Sequence, residues 1–415
     1  MAAQSRAMGW AHFSTLALFI GKVYTERKSM TADSLLKWRS EFPILERCNY
    51  LISNSLGAMP RGVYASLQQY ADTWAGQGVS AWGSGWFELP QTVGDKIAPL
   101  MGAAQGTVLM HQNASIANSI LLGALDFSDT KRDKVVITNL DFPSDVYALH
   151  SWLPAHIEVQ MIESRDGISI DIGELLDAID ERTRLVSVSH VCFRSAFIMP
   201  AREITAKAHR VGAQVLFNGY HSVGVIPVDV GAWDVDYYIG GTLKWLCGGP
   251  GGVFLYVRPD LLPSLKPKVT GWFASRAPFD FDVSGLDLRE DSYRLMNGTP
   301  GIASLHAVQP GVDIVAQVGV EPIREKSMRQ TALIIELADA LGYEVVSPRS
   351  PEERAGTVTV NPPHAYEVAN ALLARNIKID FRPQAGIRIA PHFYNSDDKI
   401  RAALAAIEQI LDEMG

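Results

Sequence analysis

The sequence predicts a three-layer α/β domain with a mostly parallel sheet, followed by a smaller α+β domain at the C-terminus. From about residue 105, short apolar runs alternate with helical patterns, and several of these runs are continuously hydrophobic. Continuous runs are typical of strands in a sheet that is covered on both faces. After about residue 310, a long amphipathic helix and short strands replace this alternation. That change predicts the second, α+β unit.

The individual elements follow from these patterns. Seven runs predict the strands of the large sheet: TVLMH, KVVITN, IEVQMI, RLVSVSHV, QVLFNG, DYYIGGT and GVFLYV. Between them, IGELLDAID and REITAKAHRVG predict helices, and Gly212 would cap the second one. In the C-terminal unit, GVEPIREKSMRQTALIIELADALG and DDKIRAALAAIEQILDEM predict helices, and TVTVNP and GIRIAP predict strands.

The predicted domain boundaries divide the chain into four parts. We expect an N-terminal extension at 1–29, a segment at 30–60, the large domain at 61–305 and the small domain at 306–415. The apolar stretch WAHFSTLALFIGKVY near the N-terminus is too short to span a bilayer, and no A-x-A-like cleavage site follows it. We therefore expect 1–29 to be an upstream extension that need not be ordered, in preference to a targeting signal.

Composition narrows the class of protein. Of the 415 residues, 47% are hydrophobic and 20% are charged, which fits a soluble globular protein. The formal net charge is −8 and no block of Lys and Arg occurs, so we expect neither a nucleic-acid partner nor a membrane partner. Cys48, Cys192 and Cys247 lack metal-ligand spacing and cannot all pair. We therefore expect no metal site and a reducing, cytoplasmic location.

One lysine stands out in the stretch YYIGGTLKWLCGGPGG. Lys244 lies between two glycine clusters just after a predicted buried strand. It is either a solvated lysine on a surface turn or an amine held in a pocket, where it could form an imine.

Other polar residues follow the ends of the predicted strands, where ligands bind in open α/β sheets. Asn113, Ala114 and Ser115 form a turn before a helix, which is either a phosphate site or a plain helix cap. Phe142 could stack on a planar ring or belong to the core. Asn218 and His221 follow another strand, and both could face one pocket.

Together these residues resemble the pyridoxal-phosphate enzymes of fold type I, in the class V aminotransferase group, and within it the kynureninases. The resemblance covers roughly residues 45–410. It is carried, in order along the chain, by YLISNSLGAMPRGV, WAGQGVSAWGSGWFELPQTVGDKIAPLMGA, DFPSDVYA, GGTLKWLCGGPGG, VTGWFAS, NGTPGIASLHA and GIRIAPHFYN. No single stretch is specific, but seven in sequence order make a strong case for pyridoxal 5'-phosphate.

The resemblance also implies roles for particular residues. Lys244 would form an imine with the cofactor and later move a proton at the substrate Cα, with His221 and Asn218 as further catalytic residues. The guanidinium of Arg388 would bind the substrate α-carboxylate, and Trp272 would line the site. Contacts with the cofactor are implied for Ala114, Ser115, Phe142, Asp145, Ser189, Asn218, His221, Thr242, Lys244 and Thr299. Thr299 would come from the partner subunit, which implies a homodimer with shared active sites.

The sequence departs from the family pattern at three positions. Asn218 stands where the family normally has an aspartate that pairs with the pyridine nitrogen, and a neutral amide supplies no counter-charge. We therefore expect a weaker electron sink. Leu243 replaces a tyrosine, and Cys247 replaces an asparagine. A catalytic role for Cys247 is the less favoured reading, because buried cysteines are commonly inert.

The predicted function is that of a pyridoxal-phosphate enzyme that acts on an L-amino acid at Cα and then at Cβ, as kynureninase-like hydrolases and lyases do. Transamination, C–S cleavage or decarboxylation coupled to oxidative deamination stays open, because Asn218 and Leu243 depart from the pattern. A cofactor-binding protein without catalysis is disfavoured, since Lys244 and Arg388 are both present. The tryptophans Trp82, Trp86 and Trp272 suggest a bulky substrate or a plain core, with equal weight.

Overall fold

The computed structural model describes residues 33–415, so the prediction for 1–29 lies outside the described residues. The chain divides into two units after Lys37, and the unit Trp38–Gly415 contains the sheets and the α-helices.

The regular elements of the described residues begin and end at the following positions. The α-helices are α1 (Gly62–Gln77), α2 (Leu89–Ile97), α3 (Ala114–Ala124), α4 (Pro143–Trp152), α5 (Ile172–Ala178), α6 (Ala201–Arg210), α7 (Ile302–Val318), α8 (Val320–Ala340), α9 (Ala365–Ala374) and α10 (Asp397–Met414). The strands are β1 (Asn49–Tyr50), β2 (Val108–His111), β3 (Lys134–Thr138), β4 (Glu158–Ile162), β5 (Thr183–Ser189), β6 (Gln214–Asn218), β7 (Tyr237–Gly241), β8 (Val253–Val257), β9 (Glu344–Val345), β10 (Val358–Asn361), β11 (Ile377–Lys378), β12 (Asp380–Arg382) and β13 (Gly386–Ile389). Short 3₁₀ segments are Ser34–Glu41, Pro43–Glu46, Gly78–Ala81, Ala98–Met101, Leu262–Ser264, Trp272–Ala274 and Ser292–Leu295, and a π turn spans Trp82–Trp86.

A seven-stranded sheet forms the centre of the large domain, in the order β2-β8-β7-β6-β5-β3-β4. Strand β8 is antiparallel to both of its neighbours, and the other neighbouring pairs are parallel. All seven strands coincide with the predicted apolar runs, so the mostly parallel sheet is confirmed. Its central strands are buried along their length because helices cover both faces.

The hydrophobic core shows the three layers. On one face, side chains such as Ile137 of β3 and Ile239 of β7 pack with Ile120 of α3 and Leu149 of α4. Helix α6 packs against β5 and β6, and its buried Ile204 and other apolar residues repeat at helical spacing. This arrangement leaves the carboxyl ends of the parallel strands uncovered by the helices.

A second, four-stranded antiparallel sheet with the order β12-β13-β10-β9 lies in the C-terminal part. It shares a core with α8, α9 and α10, which matches the predicted α+β unit. Strand β1 pairs in parallel with β11, so the segment predicted at 30–60 joins C-terminal residues through backbone hydrogen bonds. The predicted boundary at 305/306 falls inside the continuous helix α7. The domain limits stay a prediction.

Candidate functional site

A cavity of about 450 Å³ opens at the carboxyl ends of the parallel strands. Segments that follow β2, β3, β5, β6 and β7 reach it, as expected for an open α/β sheet. The loop before β8 closes one side, because β8 runs in the opposite direction. The predicted residues that line the cavity are Ala114, Ser115, Phe142, Ser189, Asn218, His221, Lys244 and Arg388.

Lys244 follows two glycines that leave room for aromatic rings. A Cβ on Gly241 would lie 2.2 Å from the ring of Tyr220, and a Cβ on Gly240 would lie 2.2 Å from the ring of Phe254. The Lys244 Nζ lies 5.3 Å from the ring centre of Tyr220 and 5.9 Å from that of Phe142. The amine is therefore held near two aromatic rings and is not a solvated turn lysine.

The electrostatic environment makes Lys244 a ready nucleophile. Burial, followed by the positive charges of Arg388 and Arg382, lowers the pKa of Lys244 from 10.5 to about 7. Its Nζ lies 2.5 Å from Nε2 of His221. Burial and the charge of Lys244 hold the pKa of His221 well below its usual range. At neutral pH the imidazole is therefore uncharged and can accept a hydrogen bond from the ammonium form of Lys244.

The start of α3 forms the part of the cavity suited to an anion. Asn113 caps this helix, since its side chain accepts the N–H of Ile116 at 3.0 Å. Asn113 is therefore a helix N-cap, as one of the two interpretations expected. The first N–H groups of a helix have no partner within the helix and carry partial positive charge. Ala114 and Ser115 belong to this first turn and line the cavity, so the turn can also bind a phosphate.

Arg388 lies on β13 and is almost completely buried. Two of its nitrogens donate to the carboxylate of Asp380, with Nε to Oδ1 at 2.8 Å, and Nη1 donates to the carbonyl of Phe193 at 2.7 Å. Arg382 also contacts Asp380, at 2.8 Å, and lines the cavity. A guanidinium has five N–H donors, so two of those on Arg388 are left for a substrate carboxylate.

Four predicted residues do not line this cavity. Asp145 lies behind Asn218, whose Nδ2 donates to it at 2.5 Å. The hydroxyl of Thr242 is buried and donates to the carbonyl of Gly252 at 3.0 Å, so it ties the lysine turn together. Thr299 is exposed. The ring of Trp272 packs against that of the next residue, Phe273, with 4.7 Å between the ring centres, and Trp272 is 37% exposed.

The tryptophan segment forms a separate aromatic cluster in the described chain. Trp82 and Trp86 contact each other at 5.4 Å between ring centres, and Phe87 joins Trp82 to Trp272. None of these rings lines the cavity of the single chain. Among the described residues, Trp82 and Trp86 therefore pack with other aromatic side chains.

Sequence reasoning missed several cavity residues, and three of them bear directly on a ligand. Asn54 is completely buried, and neither atom of its amide has a hydrogen-bond partner within residues 33–415. The Oε1 of Gln112 is likewise unpartnered there. Tyr220 supplies a ring beside Lys244. A signal for Tyr220 existed, since it lies between Asn218 and His221. Asn54 lies in YLISNSLGAMPRGV, a stretch that carried the resemblance but pointed to no single residue.

These features fit a planar aldehyde that carries a phosphate. An amine of low pKa lies near two aromatic rings, a helix start can take the anion, and buried amides lack partners. Unsatisfied buried polar atoms are costly, so their presence in a cavity is evidence for a polar ligand.

The cysteines take no part in the cavity. All three lie in the described part of the chain without disulfides, and none lines the cavity. Burial raises the pKa of Cys247 to about 12, so its thiol stays protonated at neutral pH. The structure thus gives no support to a nucleophilic role for Cys247.

Neither a membrane-spanning helix nor a metal-binding cluster is present within residues 33–415. No helix in this range has both the length and the apolar character needed to cross a membrane. No cluster of three or more His, Cys, Asp or Glu side chains in the same range is placed to hold a metal ion.

Residues 49–409 match the sequence pattern of the family described as Aminotransferase class-V. The chain belongs to the class-V aminotransferase family. It is similar to a kynureninase of Bacillus cereus, with 30% identity over 92% of this chain and 92% of that one. Kynureninase of Burkholderia pseudomallei (strain 1106a) is 31% identical over 92% of this chain and 93% of the relative. The cysteine desulfurase of Thermococcus onnurineus NA1 superposes with a TM-score of 0.81 at 21% identity, covering 91% of this chain and 98% of the other.

The last of these likenesses shows the fold alone. Membership of the class-V aminotransferase family confirms the predicted fold class and makes the protein a pyridoxal-phosphate-dependent enzyme. Lys244 is the lysine of the described residues that lines the cavity. The roles of the individual residues stay predictions.

Proposed function

We propose that this protein is a pyridoxal-phosphate-dependent hydrolase of the kynureninase type, which cleaves the Cβ–Cγ bond of an L-amino acid that has a carbonyl at Cγ. The observation that carries the proposal is that Lys244 lines the same cavity as Arg388. The pKa of Lys244, about 7, makes its amine reactive at neutral pH. The two kynureninase relatives, which align over nearly the whole chain, support this reaction class.

In this proposal the residues of the cavity bind and orient the cofactor. Lys244 would hold it covalently, Phe142 would lie against its ring, and the first turn of α3 would bind its phosphate. When bound, pyridoxal phosphate takes up the electron pair left by a broken bond at the substrate Cα. His221 accepts a hydrogen bond from Nζ of Lys244, and Arg388 would fix the substrate through its carboxylate.

The reaction consumes one water molecule. The bond between Cβ and the carbonyl carbon breaks, the carbonyl carbon gains the hydroxyl of water and becomes a carboxylic acid, and Cβ gains a proton. The amino-acid product is alanine. In this proposal Lys244 holds the protons that move at Cα and Cβ, and His221, whose Nε2 lies 2.5 Å from Nζ, orients its amine.

We also propose that the active protein is a homodimer. Helix α1 is exposed along most of its length and presents Tyr64, Leu67 and Trp74 to solvent. A patch of exposed large apolar residues on a helix is typical of an interface. Thr299 and Trp272 are also exposed enough to enter a neighbouring subunit's site, as the predicted shared active site requires.

A cytoplasmic location is part of the proposal. It is supported by the three cysteines, which are all unpaired in the structure. Unpaired cysteines are usual in reducing compartments.

Two linked measurements test the function. The protein is loaded with pyridoxal phosphate, reduced with borohydride and digested, and we expect the pyridoxyl group on the peptide that contains Lys244. The same preparation, without reduction, is then given L-kynurenine, and we expect equal amounts of alanine and anthranilate. A label on another lysine contradicts the assigned site. Cysteine conjugates and common amino acids are supplied in parallel. If a keto acid, ammonia or carbon dioxide is the main product from any of these substrates, the protein catalyses one of the alternative reactions and not hydrolysis.

A further inference from the structure

We infer that Asp145, acting through the amide of Asn218, supplies the negative charge that the cofactor's ring nitrogen requires. The counter-charge would then lie one hydrogen bond further from the ring than an aspartate at position 218 would place it. The inference rests on the proposed function and names a positioning residue for it. It revises the expectation that Asn218 leaves the ring nitrogen without a counter-charge.

The geometry around Asp145 is that of a buried carboxylate held by two amides. Asn118 Nδ2 donates to Oδ1 at 2.8 Å, and Asn218 Nδ2 donates to Oδ2 at 2.5 Å. The side chain is 9% exposed. No arginine or lysine among the described residues forms an ion pair with it. A buried charge without an ion-pair partner is costly to maintain, and the nearby charge of Lys244 offsets only part of this cost, because the pKa of Asp145 is still raised.

The charge state of Asp145 is compatible with this role. Burial raises the pKa of Asp145 to about 6, while the hydrogen bonds from the two amides counter that rise. The carboxyl group is therefore mostly ionised at pH 7.5. The nearby carboxylate of Asp141 is already occupied by the N–H groups of Thr138 and Ser189. Asp145 is thus the ionised group in direct contact with Asn218.

Asp145 also decides which way the amide of Asn218 faces. An ionised carboxylate only accepts hydrogen bonds, so the atom that contacts it is Nδ2. The Oδ1 accepts the N–H of Tyr220 at 3.0 Å and has a second lone pair. Asn218 lines the cavity and Asp145 does not. We take the remaining lone pair of Oδ1 as the group that Asn218 offers to the cavity, and the carboxylate behind it strengthens that oxygen as an acceptor. Such an acceptor binds a protonated ring nitrogen.

The test compares the affinity of the cofactor-free protein for two probes. One is pyridoxal phosphate and the other is its analogue with C–H in place of the ring nitrogen. In the wild-type protein we expect pyridoxal phosphate to bind at least about tenfold more tightly, since hydrogen bonds to charged groups are strong. In Asp145→Asn we expect the ratio of the two dissociation constants to fall to within about twofold of one. Neither quantity depends on turnover.

The control is Asp236→Asn, which removes another buried carboxylate, one next to β7 that accepts from His209 and Val215. We expect it to lower stability and leave the ratio unchanged. If Asp145→Asn does not fold, the exchange variant Asp145→Asn/Asn218→Asp decides. It keeps one carboxylate and one amide in contact and should restore a ratio of tenfold or more.

Three outcomes would overturn the inference: equal affinities in the wild-type protein, an unchanged ratio in a folded Asp145→Asn, or a ratio near one in a folded exchange variant. An exchange variant that does not fold, after Asp145→Asn has also failed to fold, would count against it as well, because the two positions would then not be interchangeable members of one pair. If neither probe binds, or the borohydride label is absent from Lys244, the proposed function itself fails.

Discussion

Replacing Lys244 by methionine should stabilise the cofactor-free protein, and the stabilisation should shrink as the pH rises. The unfolded chain binds a proton at this amine with the ordinary pKa of 10.5, whereas burial and the charges of Arg388 and Arg382 lower the pKa to about 7 in the folded protein. Methionine has a similar length and no charge to bury. The change therefore removes the cost of holding an ammonium group in the cavity.

The size and the sign follow from the two pKa values. Below pH 7 both states are protonated and the cost is complete, at most about 5 kcal/mol for a pKa lowered this far. Between pH 7 and 10.5 only the unfolded chain keeps the proton, so the wild-type protein recovers stability as the pH rises. Water reaches the amine through the open cavity and screens its charge, so we expect a cost of about 1–3 kcal/mol at pH 6.5.

Urea unfolding of cofactor-free protein at four pH values from 6.5 to 9.5 measures this difference. We expect Lys244→Met to exceed the wild type by about 1–3 kcal/mol at pH 6.5 and to approach it by pH 9.5. Lys131→Met serves as the control, since Lys131 is exposed, and its difference from the wild type should not vary with pH. A Lys244→Met difference that is constant across the range would refute the lowered pKa.

Three other predictions test the packing and the chemistry of the site. Arg388→Lys should raise the KM for the amino-acid substrate at least about tenfold with a smaller effect on kcat, measured by steady-state kinetics; an unchanged KM contradicts a carboxylate site at Arg388. Gly241→Ala should lower the melting temperature by several degrees, because its Cβ meets the ring of Tyr220 at 2.2 Å, whereas Gly76→Ala, with open space around it, should not. Cys247→Ala should keep turnover within about threefold of the wild type, and loss of turnover in a folded variant would mean that the thiol takes part.

The fold was predictable because its main signal is local. Strand β3, for example, reads as an uninterrupted apolar run, and burial on both faces selects such runs. The two-residue strands β9 and β11 carry too few residues for a pattern. Helix α7 was missed because Pro310 interrupts a mostly apolar stretch, and proline is normally read as the end of a helix.

The site was only partly predictable, for a related reason. Residues such as Asn218 and Lys244 follow strands directly, and the sheet brings all strand ends to one edge, so their proximity follows from the topology. Asn54 reaches the cavity from a segment that pairs with the distant β11. The contact between Asp145 and Asn218 depends on side-chain directions at the first turn of a helix. Neither the position of Asn54 nor the contact between Asp145 and Asn218 can be predicted from the spacing of residues or from composition.

The arrangement of Asp380, Arg382 and Arg388 gives substrate binding a consequence for Lys244. Both arginines lower the pKa of Lys244, while Asp380 raises it and neutralises part of their charge. A substrate carboxylate bound to Arg388 adds a second negative charge at the same place. It must therefore raise the pKa of the free amine of Lys244 and favour its protonation. In the proposed site, the free amine of Lys244 would thus be mostly unprotonated above pH 7 without a bound carboxylate and a stronger base with one.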